Sequence, residues 1–68
     1  MKHMLIVHID TSYYRHHNIP LYNGHDKPVW YGTDTSKARL EKAFGRFQMA
    51  NMPNVDYYYG FIFTWRKV

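Results

Sequence analysis

Five histidines in a chain of 68 residues are the first side chains to ask about, because neutral imidazole is a common ligand for transition metals. His3, His8, His16, His17 and His25 do not match the spacing of a zinc finger or of an H-x-x-x-H helical pair. On a strand, His3 and His8 point to opposite faces. His16, His17 and His25 lie in one polar stretch, where they could converge with Asp26. There is no cysteine to complete a thiolate site, so no metal is expected and the bland account is surface histidines in a loop. Nucleophile chemistry finds no better support. Ser12 and Ser36 lack a G-x-S-x-G context, and Gly32, Gly45 and Gly60 make no phosphate-cradling loop. The expectation is a protein that is not an enzyme and has no cofactor.

Two other sets of residues could make contacts. Arg39, Lys42 and Arg46 recur at i, i+3 and i+7, one stripe of a helix interrupted in charge by Glu41. Such a stripe suits a phosphate backbone, and a net charge of +4 favours anionic partners in general. The charges are otherwise scattered, without the Lys/Arg block of a disordered basic tail. The second set is aromatic, 19% of the chain. Rings bury much area for few lost rotamers, which suits a small domain with no disulfide to hold it. Left exposed, they serve as stacking platforms for bases or as anchors in protein interfaces.

These residues need elements to position them. Met4 to Ile9 reads as a strand with apolar side chains on both faces, the pattern of a strand covered on both sides, and Asp10-Thr11-Ser12 ends it with turn chemistry. Tyr13-Tyr14-Arg15 could extend the strand, but Pro20 restricts whatever follows to an edge. Asn23-Gly24 is a tight-turn signal. Residues 11–27 are therefore expected to form a mobile loop, with an extra short strand near 19–22 as an option. Val29-Trp30-Tyr31 is a short second strand. Asp34 or Thr35 is placed to cap a helix running from Ser36 to about Ala50, with Leu40, Ala43, Phe44 and Phe47 as its apolar stripe. Asn51 suits a left-handed cap and Pro53 forbids continuation. Val55 to Arg66 alternates as a last strand. Val55, Tyr57, Tyr59, Phe61, Phe63 and Trp65 face the helix, while Tyr58, Ile62 and Arg66 face away.

The fold expected is one α+β domain over residues 1–68: a three-stranded antiparallel sheet in the order β-β-α-β, packed on one helix. A single helix covers only one face of a sheet. The other would present Met4, Ile6, Trp30, Tyr58 and Ile62, with His8, Thr64 and Arg66 nearby, and an apolar patch of that kind marks a contact surface. Trp30, Tyr58, Ile62 and Arg66 are the candidate partner-binding residues.

Asp10, directly after the apolar first strand, gives Met1 to Asp10 a resemblance to the small CRISPR-associated nucleases and their toxin relatives. That resemblance implies a metal-dependent nuclease in which Asp10, helped by the loop histidines, holds the metal. The layout of residues 28–68 is similar to that of small bacteriophage proteins that bind and inhibit host enzymes, bacterial RNA polymerase among them. This second resemblance implies an accessory or inhibitor protein acting on a host macromolecule. The first expectation is thus a non-enzymatic protein whose partner is another protein, held on the open aromatic face. The alternatives are nucleic-acid binding through Arg39, Lys42 and Arg46, and the small nuclease. A homodimer through the same open face is a further use of it. The longest apolar run near the start, Met4 to Val7, is too short for a signal segment or a membrane span. A cytoplasmic protein is expected, in the host's cytoplasm if phage-encoded.

Overall fold

The computed structural model describes all 68 residues, Met1–Val68. The chain runs β1 (His3–Ile9), α1 (Thr11–His16), β2 (Trp30–Asp34), α2 (Lys37–Asn51) and β3 (Phe61–Lys67). The strands form one antiparallel sheet in the order β2-β1-β3. The most apolar strand therefore lies in the middle. Leu5, Val7 and Ile9 of β1 point to the helix side and are buried. In the register, Leu5 stands between Gly32 and Trp65, and Val7 between Trp30 and Phe63.

The amphipathic helix α2 lies on that side, and its apolar stripe turns inward as the 3.6 period requires. Leu40 and Phe44 are buried, Phe47 is partly buried, and Ala43 is exposed. Gln48 is buried too, although polar. Its amide donates to the carbonyls of Met52 at 2.9 Å and Val55 at 2.8 Å, so both donors are used and burial leaves none unpaired. Gln48 thereby fastens the end of α2 to the segment that leads into β3.

The ends of α2 differ from expectation by small steps with clear causes. Ser36 is the N-cap, its hydroxyl accepting from Arg39 N at 3.3 Å. Asp34, the last residue of β2, accepts from Ser36 N at 2.9 Å and from the Arg39 guanidinium at 2.9 Å. These bonds, the backbone one first, hold the Asp34 carboxyl below its ordinary pKa. At the other end Asn51 is still helical, its side chain donating to Phe47 O at 2.9 Å. Met52 is the cap, with an ordinary negative φ of −140°.

Three further corrections concern the loops and β3. Residues 11–16 form a helix, so the layout has two helices where one was expected. Asp10 caps α1, accepting from Ser12 N and Tyr13 N. Asn18, at φ 54°, turns the chain out of it. Tyr14 is buried with its hydroxyl 3.8 Å from Met52 Sδ, and Tyr13 Oη accepts from Asp56 N at 3.2 Å. α1 thus closes the end of the core on the α2 side. No strand forms at 19–22, and Asn23-Gly24 makes a turn with Gly24 at φ 84°. β3 begins at Phe61 rather than Val55, because the Asp56 carboxylate takes the N–H groups of Tyr58 at 2.9 Å and Tyr59 at 2.8 Å. That turn competes with strand pairing.

Gly45, in the middle of α2, faces the ring of Tyr57, but not tightly. A Cβ there would lie 3.8 Å from Tyr57 Cε2, ordinary contact. Glycine lowers helix stability by about 0.8–1 kcal/mol relative to alanine. Gly45→Ala should therefore stabilise the protein, raising Tm by about 4–8 °C per kcal/mol gained in a domain this size. A thermal melt that moves down instead would mean that the ring cannot accept the methyl.

Candidate functional site

Because side chains alternate along each strand, the sheet has a second face that α2 does not touch. It is built from Met4, Ile6 and His8 of β1, Tyr31 and Thr33 of β2, and Ile62, Thr64 and Arg66 of β3. The register sets them in rows: Thr33-Met4-Arg66, Tyr31-Ile6-Thr64, and His8 beside Ile62. Tyr31 is 72% exposed and Ile62 50% exposed, while Met4 and Ile6 between the edge strands are half-buried. Both helices pack elsewhere: α2 covers the opposite face, and Tyr14 of α1 belongs to the core cluster on that same side.

Of the four residues expected on this face, Ile62 and Arg66 are there. Trp30 and Tyr58 are not. Trp30 points to the helix side, with its ring centroid 5.7 Å from that of Phe44. The cause is Gly32, two residues along the same face. A Cβ at Gly32 would come 2.8 Å from the Trp30 ring and 3.2 Å from Leu40, so the missing side chain is the space that the indole fills. Tyr58 lies in the turn before β3, 78% exposed, with its ring 5.0 Å from Tyr57 and close to α2. The aromatic residue on the open face is Tyr31, which is not among the residues expected there. The alternation Trp30-Tyr31-Gly32 was its signal: Trp and Gly share a face, so Tyr31 takes the other.

The residues of the nucleic-acid alternative lie across the molecule. Arg39, Lys42 and Arg46 are exposed on α2, on the far side of the sheet from Tyr31. Arg39 is tied down, with its guanidinium on Asp34 and on Thr35 Oγ1 at 3.1 Å. A second basic group gathers where β1 begins and β3 ends. His3, Lys37, Arg66 and Lys67 line a cleft with Trp65, and Lys37 Nζ stands 5.2 Å from the Trp65 ring.

The histidines have separate contacts. His17 stacks on Tyr13 with centroids 4.1 Å apart, and its Nδ1 is 3.0 Å from Tyr13 O. His25 Nδ1 lies 2.9 Å from Tyr22 O. Asp10, Ser12, Tyr13, His16 and His17 line a shallow hollow on α1, where the Asp10 carboxylate is engaged as a cap. No three His, Asp or Glu side chains are grouped to hold a metal ion, and no helix is long and apolar enough to cross a membrane. Comparison with protein-family models, with curated proteins and with solved structures gave no match.

Proposed function

We propose that the chain is a non-enzymatic binding protein that docks a protein partner on the bare face of its sheet. One observation carries this reading. A three-stranded sheet is covered on one side only, and its other side sets Tyr31 and Ile62, both open to solvent, around the apolar Met4 and Ile6. An aromatic anchor beside aliphatic groups, with Arg66 and threonines at the margin, is the composition of an interface centre and its rim. Nucleic acid is the weaker fit. A ligand stacked on Tyr31 would not meet Lys42 or Arg46, because α2 lies behind the sheet. Those two charges can still steer an acidic partner from a distance. An accessory or inhibitor role, as in the small phage proteins, is the form of this proposal in which the partner loses its own activity on binding.

The test uses the immobilised chain and a bacterial lysate, with and without nuclease. Stoichiometric retention of one protein that survives nuclease is expected. Tyr31→Ala with Ile62→Ala should weaken it by about tenfold or more, the effect of truncating central anchors, while Lys42→Ala with Arg46→Ala should change it little. All four side chains are exposed, so the fold is not at risk. The reverse pattern, or retention that collapses under nuclease, would move the site to α2 and the ligand to nucleic acid. Sedimentation of the isolated chain separates a foreign partner from a second copy on the same face.

A further inference from the structure

On the helix side, away from the bare face, four aromatic rings and one carboxylate meet. Tyr57, Tyr58, Phe63 and Trp65, with Glu41 of α2, line a groove of about 230 Å³. The rings are set at angles to each other. Tyr58 stands nearly perpendicular to Tyr57 at 5.0 Å, and Tyr57 tilts 40° from Phe63 at 5.5 Å. The groove is therefore lined by rings that do not share one plane. The Tyr57 hydroxyl is turned away to donate to the Glu41 carbonyl at 3.4 Å, which leaves the ring itself as what Tyr57 presents.

The Glu41 side chain has no ion-pair partner; the one salt bridge in the chain joins Arg39 and Asp34. Its charge reaches the Tyr57 hydroxyl. The Tyr57 hydroxyl is pushed above its ordinary pKa, by burial first and then by the Glu41 charge. Lys42 borders the adjoining hollow formed by Ala38, Glu41, Tyr57 and Tyr58, and does not line the groove itself. Trp65 is the wall between this groove and the basic cleft, and on the latter side Lys37 Nζ already lies 5.2 Å from its ring. The indole thus holds an ammonium group of the protein's own.

We propose that the Tyr57, Tyr58, Phe63, Trp65 and Glu41 groove binds a trimethylammonium head group. Ring faces carry the negative lobe of the aromatic quadrupole, and they attract a cation that has little hydration to lose. A primary ammonium keeps three N–H donors that need acceptors, and the one acidic residue lining the groove is Glu41. A methylated head group has no donor to satisfy. The volume is below the about 300 Å³ at which drug-sized ligands begin, so it suits a head group rather than a larger ring system.

The experiment follows the Trp65 indole N–H resonance by NMR, with the Trp30 indole, packed under α2, as an internal control. Choline is titrated against its neutral isostere, dimethylbutanol, in which carbon replaces the quaternary nitrogen, at constant ionic strength. A blocked trimethyllysine forms a third arm. Saturable shifts at Trp65 with choline or trimethyllysine are expected, with the isostere at least several-fold weaker, and the tighter of the two cations names the source of the head group. Tyr58→Ala and Glu41→Gln should each weaken binding by about two- to fivefold, the factor expected of one exposed cation contact. Glu41→Gln keeps the shape of a side chain that makes no hydrogen bond of its own, so folding does not confuse the result. Equal binding of cation and isostere would reduce the groove to an apolar crevice and overturn the proposal. So would the absence of a saturable shift at Trp65.

Discussion

Replacing Phe44 with alanine is expected to abolish cooperative folding at room temperature. Phe44 is fully buried, and the rings of Trp30, Phe47, Tyr57, Phe61 and Phe63 have centroids 5.7, 6.2, 5.8, 5.0 and 5.7 Å from its own. Two of these contacts are edge-to-face, the arrangement that the ring quadrupole favours. Phe→Ala in a packed core costs about 3–5 kcal/mol. A chain this short has about 3–10 kcal/mol of stability in all, at about 0.05–0.15 kcal/mol per residue. Alanine's better helix propensity returns only about 0.5 kcal/mol, so the cavity decides the sign. A near-ultraviolet circular dichroism signal close to baseline, with no sigmoidal melt, is the outcome expected. A cooperative melt within a few degrees of the parent would mean that the five rings collapse onto the space without Phe44. Phe44→Leu should retain a melt at a lower midpoint, since most of the volume stays.

The parts of this fold that the sequence made legible are those with a long period. Fifteen residues of α2 repeat their apolar positions often enough to fix both its existence and its inward face. β1 and the second half of the last strand were legible for the same reason, and with them the places of Ile62 and Arg66. The failures lie where a period had too few residues or where a side chain overrode it. α1 has six residues, too few to be stable as an isolated helix. What holds it is a cap at Asp10 and the burial of Tyr14 against Met52, a contact thirty-eight positions away in sequence. Trp30 falls on the wrong face when β2 is read as ending at Tyr31. Carrying the alternation one residue further would have paired Trp30 with Gly32 and exposed Tyr31. Tyr58 was placed by an alternation that the Asp56 carboxylate interrupts.

That interruption has a functional consequence. With Tyr58 and Trp30 both on the helix side, the two candidate surfaces use aromatic residues that face opposite directions. One is small, Tyr31 with its aliphatic neighbours on the bare face. The other is Tyr57, Tyr58, Phe63 and Trp65 beside Glu41. Loss of one surface should leave the other intact. The paired variant Tyr31→Ala with Ile62→Ala and the variant Tyr58→Ala therefore address separate contacts, and failure of either proposal leaves the other standing.

Gly60→Ala is expected to be the most damaging single-methyl change in the chain. Gly60 sits where the Asp56 turn hands over to β3. Its N–H donates to Asp56 O at 2.8 Å, and its carbonyl accepts from Asp10 N at 2.9 Å, which ties the start of β3 to the end of β1. A Cβ at this position would overlap Val55 Cγ1 and stand 2.7 Å from Asp56 O. Neither neighbour can move cheaply. Val55 is buried in the core and its carbonyl is held by Gln48, while Asp56 O is backbone already committed to Gly60. Overpacking of a tight site costs about 1–3 kcal/mol and more where backbone must shift, so a loss at or above about 3 kcal/mol is expected. Urea denaturation should show a much lower midpoint, and a midpoint equal to the parent's would refute the steric reading. The two partners of the clash can be separated by a double-mutant cycle. Val55→Ala is destabilising alone, but it removes the overlapping Cγ1, so combined with Gly60→Ala it should cost less than the sum of the two. Strict additivity would place the whole penalty on the Asp56 carbonyl. Gly45→Ala, the same chemical change in a site with ordinary contact distances, should move stability the opposite way, which makes space rather than glycine content the variable under test.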